Sequence, residues 1–342
     1  MHMADALLSP AVGGVMTGVS ALAIAYGVKK MAGDTLNEKK IPMMGVMGAL
    51  VFAGQMINFT IPGTGSSGHI GGGILLAAIL GPFPALLTLA SVLLIQCLFF
   101  ADGGLLAYGC NVFNMGVTSC FLAFQLIFKP LMKRGKKGET GKPHAAPQHI
   151  IIASIAAVVI GLQLGAFGVV LETLLSGITE LPFGAFLVLM QPIHLAIGLV
   201  EGIVTAGVLC YVHRARPELL DSALEDRPIP QTLPTKQILI SFLALTVLTG
   251  GILSLFASAY PDGLEWSMER VAGTPELERE GPVYETASSV VETTAFMPDY
   301  SFSGDEEGSV LGTATAGILG SIITIVLAGG IGFIIHRVRK AA

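Results

Sequence analysis

Met1 and His2 open the chain, and His69 follows a glycine-rich run, Gly63-Thr64-Gly65-Ser66-Ser67-Gly68. These are the residues whose types and placement offer the most chemistry. A terminal amine, the deprotonated amide of residue 2 and Nδ1 of the His2 imidazole close two fused chelate rings with their nitrogens nearly in one plane. An imidazole from His69 completes a square of nitrogens, a geometry suited to Ni(II) or Cu(II) and workable for Co(II). The bulky side chain at position 2 protects Met1 from aminopeptidase removal, which such a chelate requires. Chelation displaces protons, so affinity is expected to fall as the pH drops. The plainer alternatives are a frayed terminus for His2 and a helix cap or packed ring for His69.

Other polar groups sit in otherwise apolar surroundings. Asn58, Asn111 and Asn114 either orient His69 and an inserted N-terminus or serve as hydrogen-bonding glue between helices. His194 and Glu201 share one face of a helix. Intramembrane ionisable residues are functional candidates by default, and a packed, hydrogen-bonded pair is the structural alternative. Gly14 and Gly18, continued by Ala21 and Ala25, form a small-residue stripe that admits close helix approach, from a partner or from this chain's own bundle. The glycine run matches G-x-G-x-x-G but lies between apolar spans, without the strand and helix of a nucleotide-binding unit. Gly141-Lys142 is followed by Pro143 and lacks the rest of a phosphate loop, so no nucleotide site is expected.

The elements that must position these groups are membrane helices. Of 342 residues, 52% are hydrophobic and only 13% charged, about half the charge of an average soluble protein. Apolar segments lie near 10–28, 42–60, 70–82, 84–101, 105–128, 149–172, 185–212, 236–259 and 311–335. The predicted fold is an all-α polytopic bundle of about nine spans, seven plus two, with 70–82 a short or half-membrane helix. With the N-terminus outside and the C-terminus inside, 17 of the 19 Lys and Arg residues fall on the inner side, leaving Arg270 and Arg279 outside. The start carries no basic n-region or cleavage site, so Met1 is expected to be the mature terminus. A net charge of −5 without a basic patch argues against nucleic-acid binding. Cys97, Cys110, Cys120 and Cys210 fall in apolar runs and are expected to be buried thiols.

Organisation follows from the same pattern: a membrane domain over 1–215, a polar, Pro-rich inner linker over 216–235, and a two-span hairpin over 236–342. The hairpin encloses an outer loop from Tyr260 to about Val310 that holds 12 of the 24 acidic residues. Its negative field could concentrate cations, or the loop could simply be solvated.

Three stretches resemble a known family. Met1-His2-Met3-Ala4-Asp5-Ala6-Leu7-Leu8-Ser9-Pro10, Gly65-Ser66-Ser67-Gly68-His69 and Gln191-Pro192-Ile193-His194-Leu195-Ala196-Ile197-Gly198 are similar to CbiM/NikM proteins, the substrate-binding S-components of energy-coupling factor transporters for cobalt and nickel. Pro261-Asp262-Gly263-Leu264-Glu265 resembles the small CbiN/NikN partner, here fused. The chain departs from the family's usual opening at Met3-Ala4-Asp5-Ala6, which leaves the chelating atoms in place. The resemblance implies a non-catalytic, multi-pass protein of the cell (inner) membrane. It would capture Ni(II) or Co(II) from outside through Met1, His2 and His69, bind no nucleotide itself, and act with a transmembrane coupling subunit and ATPase subunits. The rival transport reading is an autonomous proton-coupled permease with His194 and Glu201 as relay. A metal-dependent membrane enzyme is remote: it needs an open coordination position and a nearby base, and Asp5 and Asp102 are the only acids at hand.

Overall fold

The computed structural model describes residues 2–31, 38–138, 146–302, 304 and 309–341. Met1 and Lys142 lie outside the described residues.

Long apolar runs, five of them with a proline at or just before the start, give seven helices long and apolar enough to cross a bilayer. They are α1 (Pro10–Lys30), α4 (Pro82–Phe100), α5 (Tyr108–Arg134), α6 (Pro147–Ser176), α7 (Phe183–Ala215), α9 (Thr235–Phe256) and the last helix, α12 (Val310–Ala341). Ser9 caps α1, its hydroxyl accepting from the Val12 amide beside Pro10 at the first helical position. The middle of α5, Val112–Phe128, is wound as a π-helix. Two shorter helices complete the core. The first, α2 (Lys40–Gln55), is buried on all sides except at Pro42 and takes α9 and α12 against it. A helix apolar all round belongs in the centre of a bundle. The second, α3 (Gly73–Leu80), has eight residues, a rise of about 12 Å and well short of a bilayer core. The segment 70–82 is therefore the short helix its composition suggested.

The glycine run forms a tight antiparallel hairpin: β1 (Phe59–Ile61) pairs with β2 (Ser66–Gly68), with Gly63 and Gly65 at φ 78° in the turn. The linker also differs from its polar reading. It contains α8 (Pro217–Leu224), whose Leu219, Leu220 and Leu224 are buried and which packs on α3 and α7. Its amphipathic spacing puts these leucines on one face while Glu218 and Asp221 stay off it. At this end of the bundle the Lys39 ammonium donates to the carbonyls of Gln231 and Leu233, and Lys129 pairs with Asp226 at 2.6 Å.

The acidic loop is built of α10 (Gly263–Ala272) and α11 (Pro282–Thr294), which seat on α7 and α4 respectively. The C-terminal helices are thus part of the bundle. At their crossing a Cβ on Gly317 would lie 2.7 Å from the Gly250 carbonyl, so only small residues allow that approach. Cys97, Cys110 and Cys120 are buried thiols and Cys210 is half-buried.

Candidate functional site

The N-terminal segment folds back into the bundle. Met3, Leu7 and Leu8 are fully buried. The Met3 amide donates to Asn111 Oδ1 at 2.7 Å, and Asn111 Nδ2 returns a bond of 3.2 Å to the Met3 carbonyl. Gly104 N also donates to that carbonyl, and Asp5 Oδ1 accepts from the Ala107 amide at 2.9 Å. Backbone groups ahead of α1 are thereby satisfied without water.

This anchoring brings His2 onto His69. Their rings stack with centroids 5.3 Å apart and planes 8° apart. His69 leaves β2 with Nδ1 donating to the Ile70 carbonyl at 3.1 Å, a tautomer that puts the lone pair on Nε2. Burial, the largest cause, pushes the His69 ring down to about 3, so it is neutral and suited to a cation. The His2 ring takes a different orientation from the one its own chelate needs. Nδ1 faces Asp102 Oδ1 at 3.0 Å rather than its own amide, while Nε2 is buried without a hydrogen-bond partner. Burial alone would raise the Asp102 carboxyl. The His2 ring and the Tyr300 hydroxyl, bonded to its two oxygens, hold it down at about 2.

The asparagines separate. Asn111 holds Met3, next to His2. Asn114 Nδ2 donates to Glu172 Oε2 at 2.7 Å and touches Met3 Sδ, while its Oδ1 is buried and unpartnered. Asn58 is not brought to the histidines; its carbonyl accepts from Ser258 N, and it lines a separate cavity with Ser258 and Tyr300.

A cavity of about 20 Å³, room for about one water, lies beside His69, with Asn114, His194, Glu201, Asp262 and Gly263 also in its lining. His194 and Glu201 are 1% and 3% exposed, but each bonds backbone rather than the other. His194 Nδ1 donates to the Met190 carbonyl at 2.8 Å, leaving Nε2 unpartnered, and Glu201 Oε1 accepts from Gly72 N at 2.9 Å at the head of α3. Among the described residues no three His, Cys, Asp or Glu side chains close on one point as a metal cluster. Glu201→Ala strands the Gly72 amide and is expected to cost about 1–3 kcal/mol, read as a lower melting temperature in detergent. Glu201→Gln keeps the acceptor and should melt close to the parent.

Asp262 is the residue that sequence reasoning did not place here. It is the N-cap of α10, accepting from the amides of Leu264 and Glu265 while Glu265 reaches back to its own amide. That reciprocal capping box is the D-x-x-E pattern visible in the sequence. The turn before it clamps β2: Ser67 N donates to the Pro261 carbonyl at 2.8 Å, Ser67 Oγ to Tyr260 O at 2.7 Å, and Trp266 Nε1 to Thr64 O at 3.0 Å. The C-terminal unit therefore covers the strand that delivers His69.

A family model described as the cobalt uptake substrate-specific transmembrane region, CbiM, matches residues 2–219, and a PDGLE domain model matches residues 236–337. The chain belongs to the CbiM family. Within it, a protein named as a fused nickel transport protein, NikMN, from Archaeoglobus fulgidus is 31% identical over 346 residues, covering all of both chains. The fused nickel transport protein NikMN of Rhodobacter capsulatus is 31% identical over 235 residues, 64% of each chain. The cobalt transport protein CbiM of Geobacter sulfurreducens is 27% identical over 84% of this chain and 82% of its own. The crystal structure of a truncated transition metal transporter superposes with a TM-score of 0.53 at 27% identity, covering 63% of this chain and 99% of its own. This CbiM-family chain thus carries a CbiN-like PDGLE unit on the same polypeptide.

Proposed function

We propose that this chain is the substrate-binding component of an ATP-driven energy-coupling factor transporter, capturing Ni(II) or Co(II) from outside the cell. It is a multi-pass membrane transport protein and not an enzyme. The observation that carries the reading is the meeting of His2 and His69 at the buried end of an inserted N-terminal segment. Two imidazoles, the terminal amine of Met1 and the amide of His2 supply the nitrogen square that these ions accept. The ion is the cargo, and names of relatives such as fused nickel transport protein NikMN and cobalt transport protein CbiM agree with either metal.

In this reading the N-terminus lies outside and the C-terminus inside the cell (inner) membrane, as the basic residues require. The chain binds no nucleotide, so energy comes from a transmembrane coupling subunit and ATPase subunits. The α1 stripe supports such a partner: Gly14, Gly18, Ala21 and Ala25 are exposed, and a Cβ at either glycine would meet nothing within 4 Å. The bundle instead takes the opposite face of α1, through Gly13, Ser20 and Gly27.

Vesicles carrying this chain alone test the division of labour. They are expected to bind Ni(II) or Co(II) up to one ion per chain without accumulating it, with or without a proton gradient. Proton-driven accumulation by the chain alone would replace this reading with the permease, with His194 and Glu201 as its relay.

A further inference from the structure

In the chelate just proposed, Nδ1 of His2 must face the ion together with the His2 amide. In the structure that nitrogen is already engaged by Asp102, and Nε2, which cannot close a ring with the same residue's amide, is the one left buried and unpartnered. The other oxygen of Asp102 accepts from the Tyr300 hydroxyl at 2.5 Å, across 198 positions of sequence. Tyr300 lies within the PDGLE unit, in the segment that leads into α12. Its ring stacks on Phe100, the last residue of α4, with centroids 5.1 Å apart and planes 22° apart. The amides of Phe296 and Met297 donate to the Phe99 carbonyl beside it.

The backbone on both sides of this contact is strained. Ala101, immediately before Asp102, has φ 56°, and Asp299 and Tyr300 have φ 48° and 60°. They are three of the four non-glycine residues in the left-handed region among those described. Such conformations persist only where surrounding structure holds them, and they gather at sites that switch or clamp. Here they aim one carboxylate oxygen at an imidazole nitrogen and hold the other with a phenol.

We propose that Asp102 and Tyr300 are positioning residues that hold Nδ1 of His2 on the carboxylate and away from the chelate, so that the C-terminal unit sets how readily the ion is captured. The inference rests on the nitrogen chelate of the preceding section. On capture the His2 ring turns about its Cβ–Cγ bond and Nδ1 passes from the carboxylate to the ion. In the neutral ring the proton on Nδ1 moves to Nε2 through water, so the turn itself neither takes up nor releases a proton. The competent orientation is a minor population before loading, and apparent affinity is reduced by that fraction.

The test uses the full-length chain in detergent, with nitrogen-15 labelled histidine and titration by Ni(II) and Co(II). The metal-free parent is expected to carry the His2 proton on Nδ1, and the diamagnetic, square-planar Ni(II)-loaded chain to carry it on Nε2. Asp102→Asn weakens a charge-assisted bond to a neutral one. It is expected to shift the metal-free ring toward the Nε2 tautomer and to speed capture roughly tenfold. Tyr300→Phe keeps the charge but frees the carboxylate from its fixed orientation, and a smaller shift in the same direction is expected. Slower or unchanged capture in Asp102→Asn overturns the proposal, because the carboxylate then orients the ring for the ion or does nothing to it. A metal-free ring already protonated on Nε2 overturns it as well. Failure of the underlying chelate looks different: acetylation of the terminal amine would then leave the parent's affinity intact.

Discussion

Acetylation of the Met1 amine is expected to weaken Ni(II) and Co(II) binding by about a hundredfold to ten thousandfold, the advantage lost when linked donors become separate ones. Acetylation keeps His2, His69 and every helix. It removes only the lone pair of the amine, which then no longer closes a ring with the amide of His2. His69→Ala leaves the terminal rings intact and is expected to cost less, since one of four nitrogens is lost. Equilibrium titration of the purified chains checks both, with unchanged melting temperatures establishing that the fold is kept. The buried N-terminal segment makes this test sharp, because Met3, Asn111 and Gly104 hold the chain directly behind His2 in fixed register. Full binding by the acetylated chain would move the ion elsewhere. The nearest candidates are then His194 and Glu201, which line the cavity beside His69.

The membrane helices were legible because their signal is local: a run of apolar residues of sufficient length reports a span without any knowledge of its neighbours. The histidines were legible for a related reason, since Met1 and His2 are adjacent and the glycine run marks His69. What depended on partners was harder to read. Seven residues separate His194 from Glu201, yet Gly72 and Met190, not each other, satisfy them. The stripe of Gly14 and Gly18 reads the same whether it packs inside or out, and only the folded bundle turns it outward. The stretch 216–235 looks polar by composition, while the leucines of α8 find a buried face on α3 and α7. Asp102 and Tyr300 meet across 198 positions, a distance at which no spacing rule operates. Contacts between the two family units, above all the turn at Asp262 against β2, belong to this last class.

That turn yields the second large effect. Gly263 sits where a Cβ would come within 2.9 Å of Ile197 Cδ1 and 3.0 Å of His194 Cε1. Its backbone is the first residue of a capped helix, so the demand is for space rather than for an unusual φ. Gly263→Leu cannot be absorbed by the end of a flexible side chain, because Ile197 and His194 are themselves buried at 4% and 1% exposure. Overpacking of this kind costs about 1–3 kcal/mol, and the strain falls on the contact that clamps Ser67 to Pro261 and Tyr260. The turn is expected to lift from β2, so two readouts should move together: a lower melting temperature, and metal affinity reduced about tenfold or more as His69 loses the cover that fixes it. Gly263→Ala still requires the terminal methyl of Ile197 to shift, and should show the same pattern more weakly. A Gly263→Leu chain that melts early yet binds metal with the parent's affinity would show that the PDGLE turn stabilises the bundle without positioning His69. The strand and the turn would then be neighbours in space with no shared part in capture.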